Sequence, residues 1–141
     1  MTKEHSLPFK VVWEDFRTYR LSDGSLLKAK MPLTRLVDTG ERDDKGNMKI
    51  LFEGELLVRV DEAKKQTPSS DQTITSADIG QEVSFTPISN PPQIYYDSEN
   101  KQVLLLSINI TKVRATTKVD PCGYSMYNVD TTTSIKTVKS I

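Results

Sequence analysis

The feature that most constrains the fold of this chain is an internal self-similarity at a fixed spacing. When residues 19–54 are placed on residues 96–131 without a gap, six of the 36 positions are identical. The identical pairs are Tyr19 and Tyr96, Leu27 and Leu104, Thr34 and Thr111, Thr39 and Thr116, Asp43 and Asp120, and Gly46 and Gly123. Self-similarity at a fixed period indicates a repeated structural unit, so it sets the architecture before any local pattern is considered.

Both copies have the sequence pattern of β-strands. Apolar residues alternate with polar ones at period two, as at Leu27, Ala29 and Met31, and β-branched residues are frequent. Turn signals separate these runs, and the Asp23-Gly24 pair is typical of a type I′ hairpin turn. Each copy therefore predicts a three-stranded antiparallel meander, which could not bury its apolar face alone.

Together these patterns predict an all-β fold of two pseudo-repeated meanders, packed as a small barrel or sandwich of about six to eight strands. We expect a single domain over residues 1–141, with repeat units at about 7–61 and 84–138 and a linker over 62–83. A chain of this length is large enough to bury a sizeable core.

The charge balance disfavours a dedicated DNA-binding protein, which needs clustered Lys and Arg. The chain has 19 basic and 19 acidic residues. No apolar run has the length of a signal peptide or a membrane span, and the single cysteine cannot form an internal disulfide. These features predict a cytoplasmic protein that does not interact with a membrane.

No arrangement of side chains typical of an active site is found in the sequence. His5 is the only histidine, and Cys122, the only cysteine, has no histidine near it in the sequence. Glu53 and Glu55 alternate along a strand, which is more typical of a solvated face than of glycosidase chemistry. We therefore expect no catalytic residue, no cofactor and no metal, with an enzyme of unrecognised type as the second alternative.

The two Asp-x-x-Gly segments, Asp43 to Gly46 and Asp120 to Gly123, have two interpretations. One is a pair of related metal or ligand loops; the other is a pair of turns in which Asp binds the backbone ahead of it. We favour the turns because a calcium loop needs several more oxygen ligands at fixed spacing.

The first alternative function is binding of single-stranded nucleic acid by a small barrel, in which cations follow the phosphates and aromatic rings stack on bases. The candidate cations are Lys28, Lys30, Arg35, Lys112, Arg114 and Lys118. The candidate aromatic residues are Trp13, Phe16, Tyr19, Tyr95, Tyr96, Tyr124 and Tyr127.

The leading prediction is a non-enzymatic interaction or oligomerisation module, whose partner is a second copy of the chain or another protein. The last predicted strand, at 124–138, carries only two charges that would block edge pairing, Asp130 and Lys136. The candidate interface is its hydroxyl-rich centre: Thr131, Thr132, Thr133 and Ser134. The rival prediction is a monomer whose last strand closes a barrel against the first strand near residues 10–13.

Overall fold

The computed structural model of the chain describes residues 4–61 and 65–139, and within them the fold is all-β. The one helical element within these ranges is a three-residue 3-10 turn, Ser76–Asp78, with Thr75 as its N-cap. The strands are β1 His5–Ser6, β2 Phe9–Trp13, β3 Arg17–Leu21, β4 Leu26–Lys30, β5 Leu33–Arg42, β6 Met48–Gly54, β7 Leu57–Asp61, β8 Ile79–Glu82, β9 Phe85–Ser89, β10 Gln93–Asp97, β11 Gln102–Val119 and β12 Ser125–Lys139.

The strands form three antiparallel sheets. Sheet I has the order β1-β5-β6, and sheet III has the order β7-β4-β3-β9. Sheet II has the order β12-β11-β10-β2, and β8 pairs with the far end of β11. None of these sheets closes on itself in the part of the chain that the structure describes. Because β12 and β2 lie at opposite edges of sheet II, the predicted closure of the last strand against residues 10–13 is wrong.

The strand pairings within residues 26–61 recur within residues 103–138. Leu27 pairs with Val60 in sheet III, and Leu104 pairs with Thr137 in sheet II. The same spacing relates each partner pair of β4 with β7, and of β5 with β6, to a pair between β11 and β12. Both register shifts of the β5–β6 pairing also have counterparts in the β11–β12 pairing. The two stretches therefore have the same pairing plan.

The strand that precedes each of these stretches departs from the common spacing by one position. Tyr19 lies opposite Leu27, and Tyr95, rather than the predicted Tyr96, lies opposite Leu104. The connection from β10 to β11 is one residue longer than the connection from β3 to β4, because Tyr95 precedes its partner by one position more than Tyr19 does. Lys101 in the longer loop has a φ of 52°. A length difference in a loop does not disturb the sheet, so the ungapped sequence comparison matched the wrong tyrosine.

The edge strands β2 and β9 each pair with the strand that precedes the more distant of the two stretches. β2 pairs with β10, with Val11 opposite Tyr95, whereas β9 pairs with β3, with Pro87 opposite Tyr19. These two pairings correspond to each other at the spacing that relates Tyr19 to Tyr95, and each contains one register shift. The segment 62–83, predicted as a linker, contains β8, which pairs with β11 much as β1 pairs with β5.

Two apolar cores result, and each takes side chains from both stretches. The first core consists of Tyr19, Leu21, Leu27, Ala29, Val60, Ile110 and Val113, and the second consists of Leu7, Leu33, Leu36, Tyr95, Leu104 and Leu106. An aromatic side chain of the neighbouring edge strand meets each core tyrosine edge-on: Phe85 with Tyr19, and Phe9 with Tyr95. Burial of large aliphatic side chains such as Leu27 and Leu104 stabilises the fold by roughly 2–5 kcal/mol each, judged by truncation to alanine.

Candidate functional site

The longest edge strand in the described part of the chain is β12. This strand is 15 residues long and has one neighbour in its sheet, β11. An edge strand presents unpaired backbone N–H and C=O groups, which can pair with another strand. The predicted interface residues Thr131, Thr132, Thr133 and Ser134 lie at the centre of this edge, and the last three are exposed.

The two faces of β12 differ. On the inner face, Val129 packs against the first core and Ile135 against the second. The outer face is exposed at alternate positions from Asp130 to Val138, as the strand period of two requires. The inner face therefore fixes the orientation of β12, and its outer face and edge are left for contacts with another molecule.

The two charges on the outer face have different surroundings. The Asp130 side chain is 50% exposed, and its Oδ2 accepts a hydrogen bond from Arg114 Nη1 at 3.1 Å. Lys136 lies opposite Leu105 of β11 and forms no ion pair with any residue that the structure describes. An even number of positions separates these charges, so they point to the same side of the strand.

The six cations proposed for nucleic-acid binding are largely engaged with other side chains. Four of them form ion pairs: Lys28 with Asp61, Arg35 with Glu53, Lys112 with Glu82, and Arg114 with Asp130. A fifth, Lys30, lies over the Phe16 ring at 4.6 Å from its centroid. Nearby carboxylates reduce the positive potential that a phosphate backbone requires, so this arrangement does not favour the nucleic-acid alternative.

Of the seven aromatic residues proposed for base stacking, one is exposed and the others are buried or partly buried. Tyr19 and Tyr95 are buried in the two cores, at 3% and 0% exposure. Trp13 is the exposed member, at 51%. Lys65 lies over Tyr124, and the Tyr127 hydroxyl donates to Asp23. Stacking of successive bases would need several neighbouring exposed rings.

The Asp-x-x-Gly segments are turns with one hydrogen-bond pattern. The Asp43 carboxylate accepts from the backbone N–H groups of Lys45 and Asn47, and the Asp120 carboxylate accepts from those of Cys122 and Tyr124. Gly46 and Gly123 adopt φ values of 79° and 92°, which L side chains rarely adopt.

The pKa of Asp43 is lowered mainly by the hydrogen bond that its carboxylate accepts from the backbone N–H of Asn47. The Asp43 and Asp120 carboxylates are therefore used to hold the turns. Among the residues that the structure describes, no group of three His, Cys, Asp or Glu side chains could hold a metal ion.

The remaining reactive side chains lie apart from one another. Cys122 is exposed in the second of these turns. The His5 ring lies 2.8 Å from Glu99, and this hydrogen bond raises the pKa of His5. Glu53 is in β6 beside Arg35, and Glu55 lies between β6 and β7.

The sequence did not indicate that buried polar side chains join the two stretches. Gln93, at 2% exposure, accepts from Met31 N and donates to Met31 O and to the Tyr95 hydroxyl. That hydroxyl donates to Glu14 at 2.6 Å. Arg17 has the equivalent place in β3 and donates to the backbone carbonyl of Ile108. The one signal for Arg17 in the sequence is the strand period of two, which puts it on the same face as Tyr19.

β2 carries an exposed apolar surface. Val11, Val12 and Trp13 are all more than half exposed. Phe9 of the same strand packs against the second core. β2 is an edge strand of sheet II.

The only helix of the described chain is the short 3-10 turn, so no helix there is long and apolar enough to cross a membrane. No protein-family model matches this chain, and no curated protein or solved structure matches it either.

Proposed function

We propose that this protein is a non-enzymatic interaction module that forms homo-oligomers by pairing the outer edge of β12. The observation that carries the proposal is the continuity of this edge over 15 residues with a hydroxyl-rich centre. Thr and Ser combine high or neutral strand compatibility with little bulk or charge, so they do not oppose an approaching strand.

The other strand edges carry features that oppose pairing. β9 contains Pro87, which has no backbone N–H to donate. The β6–β7 edge is interrupted at residues 55–56 and carries five charged residues: Lys49, Glu53, Glu55, Arg59 and Asp61. β2 is only five residues long. Natural sheets commonly protect their edges by these means, and β12 lacks them over most of its length.

The architecture that we propose is a sandwich of two equivalent units that have exchanged their edge strands. It is supported by the common spacing of the strand pairings and by the opposite placement of β2 and β9. It is also supported by the two cores, since each draws residues from both units. Neither unit could form its core without the other.

A non-enzymatic role is supported by the structural use of the reactive side chains. Asp43 and Asp120 hold turns, Asp38 binds Arg42, and His5 binds Glu99. The exposed free thiol of Cys122 supports the proposed cytoplasmic location, because exposed free cysteines suit a reducing compartment.

The proposal predicts a dimer at tens of micromolar protein, measured by light scattering or sedimentation. Thr133→Lys places a charge on the inner side of the edge and should convert the dimer to monomer, since such charges block edge pairing. Thr86→Lys is the matched control, because Thr86 is an exposed residue of another edge strand, β9. A monomeric wild type, or a dimer that survives Thr133→Lys, would contradict the proposal.

A further inference from the structure

We infer that the partner of β12 is the same strand of a second copy, in an antiparallel pairing whose twofold axis passes beside Thr133. This inference rests on the proposed self-association and specifies its register. It follows from the positions of the two charges on the exposed face of the strand. A register fixes which residues face each other, so it can be tested separately from the existence of the dimer.

Antiparallel self-pairing about Thr133 joins residues whose numbers are equally far from 133. Asp130 then faces Lys136 of the second copy, and Lys136 faces Asp130 of that copy. Each dimer therefore gains two opposite-charge pairs across the new strand pair, and such directly opposed pairs stabilise antiparallel sheets. Thr132 faces Ser134 of the second copy, which places hydroxyl groups beside each other.

Neighbouring registers lose this complementarity. An axis beside Thr132 places Asp130 opposite Ser134 and Lys136 opposite Asn128. An axis beside Ser134 places Asp130 opposite Val138 and Lys136 opposite Thr132. Only the axis beside Thr133 pairs both charges at once, and a strand slip of even one residue would also reverse which face each side chain occupies.

The surroundings of the two charges suit this role. Arg114 holds Asp130 at the strand surface through Oδ2, and the carboxylate remains half exposed. Lys136 is exposed, and the structure shows no carboxylate paired with it among the described residues. Within the same strand the two groups lie about 20 Å apart, judged by the rise of a β-strand, so they cannot neutralise each other.

The pairing extends sheet II without displacing any core side chain. Residues 127–139 of the two copies overlap in this register, and β12 is continuous over this range. Its inner-face residues Val129 and Ile135 stay against their own cores. The result is one sheet that runs through both molecules, with a twofold interface that uses the same surface on each.

Charge reversal tests the register. Asp130→Lys alone places Lys opposite Lys at both ends of the interface, and Lys136→Glu alone places Glu opposite Asp. Each variant should dimerise about tenfold or more weakly than the wild type, because directly opposed like charges destabilise strand pairs. An equimolar mixture of the two variants should form a heterodimer with near wild-type affinity, since one end of the interface keeps the Asp130–Lys136 pair and the other gains an opposite-charge pair of reversed sign.

Controls separate loss of fold from loss of pairing. Thermal unfolding of each variant is measured alone, and Asp130→Asn replaces Asp130→Lys if the lysine destabilises the fold beside Arg114. Asp130→Asn should weaken the dimer by a smaller factor than Lys136→Glu, and it should reduce the weakening by salt.

The outcomes distinguish the two proposals. A monomeric wild type overturns both the self-association and the register. A dimer that responds to Thr133→Lys but not to either charge reversal overturns the register and leaves edge pairing standing. Two weakened variants that do not recover on mixing also overturn the register, because a different arrangement must then bring the charges to the interface.

Discussion

The β6–β7 edge and the β12 edge hold equivalent positions in the pairing plan, yet they differ in each property that controls edge pairing. β6 and β7 are seven and five residues long with a gap between them, whereas β12 is a single strand of 15 residues. Residues 48–61 carry five charges, and the equivalent residues 125–138 carry two. Equal backbone topology therefore does not imply an equal tendency to associate.

Two residues explain the interruption of the first edge. Pro32 separates β4 from β5, and it cannot donate a ladder hydrogen bond. Gly54 lies against it so closely that a Cβ there would be 2.8 Å from the Pro32 carbonyl oxygen. The equivalent residues in the second stretch are Asn109 and Thr131, which both lie inside long continuous strands. One edge is thus interrupted near the Pro and Gly, whereas the other continues as a single strand.

The largest expected effect comes from a substitution at Gly54, next to the point where the first edge is interrupted. Gly54→Thr gives the first edge the residue of the second, and the new Cβ would collide with the Pro32 carbonyl and the Met31 side chain. Overpacking of this kind should lower the free energy of unfolding by about 3 kcal/mol. Denaturant unfolding followed by tryptophan fluorescence provides the measurement.

The matched control for this change is Thr131→Gly in β12. It introduces no collision, and glycine in a strand interior should cost only about 1 kcal/mol. Equal losses in the two variants would show that the close approach at Gly54 does not limit the fold in solution.

The second prediction compares the two core tyrosines. The Tyr95 hydroxyl has two hydrogen bonds of 2.6 Å, with Glu14 and Gln93, whereas the Tyr19 hydroxyl lies 3.5 Å from the Asn90 side-chain oxygen. Tyr95→Phe should destabilise the protein by about 1–2 kcal/mol because it removes partners from buried polar groups. Tyr19→Phe should cost less than about 0.5 kcal/mol, since its hydrogen bond is long.

Spectroscopic titration provides an independent measure of the same difference. Burial, followed by the Glu14 carboxylate, raises the pKa of Tyr95. This tyrosine should therefore remain protonated in the folded protein at a pH at which exposed tyrosines ionise. If Tyr95→Phe leaves both the stability and the number of late-titrating tyrosines unchanged, the Glu14–Tyr95–Gln93 network does not form in solution.

The sequence predicted the elements of this fold well and their long-range partners poorly. Period-two patterns and turn residues predicted the all-β class and both Asp-x-x-Gly turns, because these depend on neighbouring residues. Local patterns do not specify which strand lies beside which, so the pairing of β2 with β10 and of β9 with β3 was not predicted.

The hairpin loops show a further limit of local inference. Asp23-Gly24 predicted a type I′ turn, which needs two residues with positive φ. Only Gly24 of this pair has one, at 90°, and its N–H donates to Leu21 O. The loop is therefore a type I turn that ends in a glycine bulge. Of the candidate site, the sequence indicated the edge character of β12, but the register requires knowing which face is exposed.

The smallest expected effect concerns the titratable contact between His5 and Glu99, which β8 does not share. His5 of β1 lies 2.8 Å from Glu99, and the residue at the equivalent place in β8 is Gln81. The hydrogen bond with Glu99 is the main cause that raises the pKa of His5 above its ordinary value of 6.5; Asp38 adds to the increase, and Arg42 opposes it. A raised pKa means that the folded state binds the proton more tightly than the unfolded state, so the contact stabilises the fold when His5 is protonated.

This stabilisation should be fully present below pH 6.5 and should be lost as the pH rises through the raised pKa of His5 in the folded state. His5→Gln makes β1 resemble β8 and should remove this dependence, and Glu99→Gln should do the same from the other side. Melting temperatures of the three proteins between about pH 5.5 and 8.5 provide the measurement, because this range spans the titration of histidine. The wild type should exceed both variants slightly at the acidic end and match them at the basic end. A constant difference across the range would show that the His5–Glu99 contact is not charged in solution.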